Sequence, residues 1–268
     1  MTDFKRTARK ITWVLFANQS LASAGFIASA TINSILGAQL GGSDYWTGVP
    51  SAVYLLGAAF AASAWGYVFD RIGRRNSMVM GLLLGVVGNA LVLYAISRTS
   101  LLLFLAGMLL MGITNAAVVL GRFAAAEVNP PQERGKAISL VVWGGTFGAV
   151  FGPLLVGPMG KFATTLGVNE LAGAYISTLI LFVIASLVVA LGLRPDPREL
   201  GKEIAAQFPE FTPHGKTRPV REILVQPGAL TAVIAMVLGQ VVMVGIMVIT
   251  SRHMNHYQHG LVDISHVI

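Results

Sequence analysis

Seven stretches of this chain, at about 12–38, 49–69, 77–97, 101–126, 137–160, 171–193 and 228–250, are runs of twenty or more mostly apolar, almost uncharged residues. A hydrocarbon layer about 30 Å thick is crossed by a helix of about 20 such residues, and lipid admits only structures that satisfy their own backbone hydrogen bonds. The ten-residue alternation of a transmembrane barrel is absent, so the runs predict seven spanning helices. Charge supports this: only 12% of the residues are charged, against about 25% in a soluble domain. The first run is too long for the apolar core of a signal peptide, and Asn18, Gln19 and Ser20 interrupt it, so it reads as a retained helix.

The nineteen Lys and Arg residues divide unevenly among the connections. Sixteen lie before the first run or in the second-to-third, fourth-to-fifth and sixth-to-seventh connections, leaving only Arg98, Lys161 and Arg252 on the other side. The positive-inside rule then places the N-terminus in the cytoplasm, and the expected location is the plasma membrane, as a multi-pass protein. The net charge of +7 is thereby a property of topology and anionic lipid contact, and no nucleic-acid partner is expected. There is no cysteine, which excludes disulfides and thiolate chemistry. Residues 194–227 contain six of the eleven prolines and read as a solvated cytoplasmic linker, with "PRELGKEIAAQF" as a short amphipathic surface helix in the alternative. The organisation expected is a six-helix unit at 1–193, that linker, and a seventh helix within 228–268.

Three patterns bear on function. "GYVFDRIGRR", residues 66–75, ends the second run with Asp70 followed by Arg71, Arg74 and Arg75, and Gly73 supplies a turn. "GGTFGAVFGPLLVGP", residues 144–158, aligns Gly144, Gly148 and Gly152 at intervals of four, then adds Pro153, Gly157 and Pro158. Such a stripe lets a neighbouring backbone approach closely, and Pro153 bends the helix, so it reads either as a packing face or as a hinge. Finally, amide side chains are sparse in the spans: Asn18, Gln19 and Asn33 in the first, Asn115 in the fourth and Gln240 in the seventh. Each can face a cavity or join helices. Tyr54, Trp65, Trp143 and Met243 are candidate apolar walls.

Gly66, Asp70, Arg71, Gly73, Arg74 and Arg75 resemble the G-x-x-x-D-R-x-G-R-R signature between the second and third helices of the major facilitator superfamily. The stretch "EVNPPQERGKA", 127–137, resembles the loop joining that family's fourth and fifth helices. The resemblance implies an all-α polytopic membrane fold: a six-helix bundle of two three-helix inverted repeats plus one further helix, the second half missing. It implies secondary transport of a small-molecule substrate by alternating access, most like the efflux branch, with a proton as the default coupling ion. Helices one, four and seven line the cavity in that family, which singles out Asn33, Asn115 and Gln240. Arg74 is expected to bridge Asp70 and Glu127 as a cytoplasmic gate.

The resemblance has gaps. The arginine expected four residues ahead of Gly112 in drug–proton antiporters is Met108 here, and no Asp or Glu lies near the middle of any run. Because members of the family continue to a twelfth helix, a fragment is expected, with a half-transporter or a non-transporting membrane scaffold as alternatives. Import of a metabolite or sugar is the alternative direction. His253, His256 and His259 fall at steps of three, yet no metal site is assigned, and no cofactor is expected. Phosphate-binding, hydrolytic and redox fingerprints are absent, so an enzyme is not expected.

Overall fold

A computed structural model describes residues 2–207, 222, 225–226, 228–258, 260, 263–264 and 267. Most of the expected linker, together with His259 and His266, lies outside the described residues. Eight α-helices follow one another among the described residues: α1 (Thr2–Gly41), α2 (Val49–Ile72), α3 (Arg74–Ser97), α4 (Leu101–Glu127), α5 (Arg134–Thr165), α6 (Ala172–Gly192), α7 (Pro197–Gln207) and α8 (Ala229–His256). All but α7 are long and apolar enough to cross a membrane.

The helices begin and end where local chemistry dictates. Ser100 caps α4 by accepting from the Leu103 amide, and Pro50 occupies the first turn of α2, where no intrahelical donor is lost. Between α2 and α3 the chain reverses through Gly73 alone, whose φ of 89° suits a residue without Cβ. The first helix differs from the apolar run that announced it. It starts at Thr2 and carries Lys5, Arg6, Arg9 and Lys10 in helical turns. Its 40 residues make a rod of roughly 60 Å, so the basic end extends beyond the hydrocarbon.

α1 is the axis of the bundle, packing along α5 and α6 and crossing α4, while α2, α3 and α4 form a second packed group that α6 closes against α3. One core cluster gathers Leu15, Trp65, Met78, Leu82 and Phe182; another gathers Ile32, Leu36, Phe104, Met108 and Tyr175. The glycine stripe of α5 lies directly on α1. A Cβ added at Gly144 would stand 2.7 Å from the Phe16 carbonyl oxygen, and at Gly148 or Gly152 it would stand 2.5 Å from those of Ser20 or Ala24. Three glycines four apart therefore meet three carbonyls four apart. Pro153 and Gly157 are buried in the same helix. This close approach is the van der Waals packing that holds helices together where lipid supplies no hydrophobic drive.

The linker departs from a fully solvated chain. Residues 197–207 are helical, and α7 rests across the Glu127 end of α4 with Leu200 and Ile204 buried. Four-residue spacing of two apolar side chains gives this helix one face, which the bundle covers. α8 is different again: of its residues only Ser251 is buried, and it meets the bundle along α1. The Ser251 and Ser34 hydroxyls lie 2.9 Å apart, and Arg252 pairs with Asp44.

Candidate functional site

Two places in this bundle concentrate polar chemistry, one at an end and one inside. At the end, α2 stops, α3 starts and α4 stops within reach of one another. The Arg74 guanidinium donates through Nε and Nη2 to both Glu127 carboxylate oxygens, at 2.9 and 2.6 Å. Its Nη1 donates to Asp70 at 2.9 Å. The two carboxylates are not equivalent: the Asp70 side chain is 74% exposed and that of Glu127 34%, while Arg74 is only 17% exposed. The bidentate bond to Glu127 is the stronger tie.

The neighbouring residues of the same motif serve other partners. Arg75 donates Nε and Nη2 to the Ala190 carbonyl at 3.0 and 2.7 Å, holding the end of α6. Arg71 donates to the Tyr67 hydroxyl at 2.7 Å. A Cβ at Gly66 would meet nothing within 4 Å, so packing among the described residues does not require that glycine. One residue that sequence reasoning missed completes the cluster. Asp196, just ahead of α7, accepts from the backbone amides of Arg74 and Arg75 at 3.2 and 3.1 Å and from that of Arg198 at 2.9 Å. It thereby caps α3 from 121 and 122 residues away, placing negative charge at the positive end of the helix dipole. The aspartate–proline pair at 196–197 signals a helix start, but nothing in the sequence points to α3 as its second client.

Between the bundle and α8, residues of α1, α2, α4 and α8 line a partly open cavity of about 230 Å³. Asn33, Asn115 and Gln240 all line it, with Tyr54, Phe26 and Met243. The Tyr175 hydroxyl donates to Asn33 Oδ1, which leaves the Asn33 amide nitrogen as a donor at the wall. Asn115, Gln240 and the Tyr54 hydroxyl have no hydrogen-bond partner among the described residues. The Phe26 and Tyr54 rings meet edge to face, 6.0 Å apart, beside them. No residue lining the cavity is acidic, basic or histidine.

The remaining candidates lie elsewhere. Asn18 is buried within the core with its Oδ1 unpaired, and Gln19 bonds Ser23 along α1. Trp65 packs between α2 and α4, donating to the Ile113 carbonyl at 2.8 Å, and Trp143 is exposed on α5 against Phe147. Among the described residues no group of three or more His, Cys, Asp or Glu is placed to hold a metal.

A model of the Major Facilitator Superfamily matches residues 15–268. The chain is 33% identical over 264 residues to the uncharacterized MFS-type transporter YdeG of Bacillus subtilis (strain 168), an alignment covering 98% of this chain and 61% of that protein. It is 26% identical to the riboflavin transporter RfnT of Brucella anthropi, over 97% of this chain and 62% of that one. Among solved structures, an auto-inhibited POT family peptide transporter is similar in fold, with a TM-score of 0.57 at 17% identity, covering 91% of this chain and 51% of that chain. The chain thus spans about three-fifths of the length of the curated relatives it matches.

Proposed function

The chain belongs to the Major Facilitator Superfamily, and from that premise we propose that it serves secondary transport of an uncharged small organic molecule by alternating access. In this reading residues 1–193 are one rocking bundle, 194–227 the linker, and 228–268 the beginning of the bundle that works against it. The charged end, with Arg74 and Glu127, faces the cytoplasm of a plasma-membrane protein, as the distribution of Lys and Arg favours.

The observation that carries the reading is the cavity. Polar groups in a membrane protein normally find partners, whereas half-buried Asn115 and Tyr54 and exposed Gln240 line one space with no hydrogen-bond partner among the described residues. A ligand with donors and acceptors would satisfy them. Because this wall offers no counter-charge, an ionised ligand would lose its hydration uncompensated, so a neutral one is favoured. The absence of a lining carboxylate also argues that proton coupling, if the protein uses it, runs through groups outside this cavity wall.

Export is the proposed direction, because Gly148, Gly152 and Pro153 are similar to the G-x-x-x-G-P motif of the family's antiporters. A second reading, import of a flat heteroaromatic compound, draws on the riboflavin-transporter relative and on the Phe26–Tyr54 pair at the cavity wall. Right-side-out and inside-out vesicles containing the protein, loaded in turn with riboflavin, neutral drugs and charged drugs, separate the two by the sign of flux. Loss of flux in Asn115→Leu and Gln240→Leu is expected. Saturable flux that both variants retain would remove the cavity from the mechanism.

A further inference from the structure

We propose that a second, polar cavity at the charged end of the bundle binds the phosphate headgroup of an anionic phospholipid. This cavity, of about 460 Å³, lies outside the Arg74–Glu127 contact, between the α2–α3 turn, the end of α6 and the start of α7. Five cations line it: Arg71, Arg75, Arg194, Arg198 and Lys202. Two carboxylates share the lining, Asp196 and Glu199.

The positive charge there is unspent. Asp196 directs its oxygens at three backbone amides, and among the described residues none of the five cations forms an ion pair with a carboxylate. Arg75 reaches only a carbonyl, Arg71 only a tyrosine hydroxyl, and Arg198 only the carbonyl of Arg71, at 3.5 Å. Guanidinium groups that outnumber the carboxylates beside them match a multidentate oxyanion, and phosphate is the oxyanion a membrane surface provides. Basic pockets between spanning helices hold anionic headgroups for this reason.

The surroundings favour a lipid over a free ion. From the cavity, exposed apolar side chains run up both adjoining helices: Met80, Leu83 and Val87 on α3, and Leu191, Leu187 and Ile184 on α6. These two helices pack side by side. A phospholipid seated there would lay its acyl chains along this face while its phosphate neutralised the excess charge. The bound lipid would also join the α2–α3 turn to α6 and α7, stiffening the end that carries Arg74.

The test is a titration of the whole purified chain in detergent with phosphatidylglycerol and with phosphatidylcholine of equal chain length, bound lipid being counted by native mass spectrometry. Phosphatidylglycerol is expected to bind more tightly. Its advantage should fall about fivefold for each cation removed in Arg194→Gln and Lys202→Gln. A control pair, Lys5→Gln and Arg9→Gln, removes equal charge from the basic end of α1 and should leave the advantage intact. Lys202 is exposed, so Lys202→Glu provides a variant that does not disturb folding, and it should reduce the advantage further. Equal loss in the control pair, or no preference in the unaltered chain, overturns the site. Displacement of phosphatidylglycerol by inorganic phosphate at similar concentration overturns the lipid as its occupant.

Discussion

Replacing the Arg74 partners one at a time should separate a structural bond from a functional one. Glu127 receives two charge-assisted hydrogen bonds from a guanidinium that is 17% exposed, and such bonds contribute about 1.5–3 kcal/mol. Asp70 is 74% exposed and sits four residues before Arg74 on the far side of the turn, an exposed pair worth at most about 1 kcal/mol. In a double-mutant cycle built from Arg74→Gln, Glu127→Gln and Asp70→Asn, the coupling of Arg74 to Glu127 should exceed its coupling to Asp70 severalfold. Reversible unfolding by dodecyl sulfate in mixed micelles, followed by loss of helical circular dichroism, gives the free energies. Transport should rank the two differently. Asp70→Asn leaves the bundle almost as stable yet is expected to reduce flux sharply, because an exposed carboxylate at this end is available to a partner outside the bundle. Arg75→Gln should lower flux much less. Equal couplings, or normal flux in Asp70→Asn, would refute the division of roles.

Gly148→Ala should destabilise the bundle by about 1–3 kcal/mol, since its Cβ would stand 2.5 Å from the Ser20 carbonyl oxygen and 2.6 Å from the Ala24 nitrogen. Gly66→Ala, with nothing within 4 Å of the new Cβ, should be neutral or stabilising by about 0.5–1 kcal/mol, and equal melting of the two variants would count against the packing account. Ser34→Cys with Ser251→Cys should form a disulfide on mild oxidation, because the hydroxyls are 2.9 Å apart and no native cysteine competes; gel mobility that stays unchanged would show that α8 does not dock there. A cysteine at exposed Thr99 should react with an impermeant thiol reagent added outside cells, whereas one at exposed Glu203 should be protected, and the reverse pattern would invert the orientation.

The sequence announces spans well because the cost of exposing backbone polar groups to lipid is large and local. Helix length is less legible. Apolarity marks the part of α1 inside the membrane, but the helix continues to Thr2 through charged residues that contain no breaker. α7 carried a readable signal, the spacing of Leu200 and Ile204 behind Asp196–Pro197. Whether that face meets lipid, water or protein depends on tertiary structure, and here it meets the end of α4. The stripe at Gly144, Gly148 and Gly152 was legible as a close-approach surface, yet its register against Phe16, Ser20 and Ala24 was not. For the site, residue type and helix number pointed to Asn33, Asn115 and Gln240. Nothing local predicted that Tyr175 would occupy the Asn33 oxygen or that Asp196 would cap α3.

The cavity and the charged end are mechanically one system because they share helices. Asn115 and Glu127 both belong to α4, twelve residues or roughly 18 Å apart along a continuous helix. Tyr54 and Asp70 are similarly joined by α2. The two helices cannot slide freely past each other: a Cβ at Gly57 would stand 2.5 Å from the Leu109 carbonyl oxygen, and the Trp65 indole is bonded to the Ile113 carbonyl. A ligand that drew Asn115 and Tyr54 together would therefore tilt α2 and α4 as a pair rather than deform either. Their far ends carry Asp70 and Glu127, the two carboxylates that Arg74 holds at once. Small rotations of a rigid helix pair would then change how one guanidinium is shared, and with it how much of the Asp70 charge is left for whatever faces this end from outside.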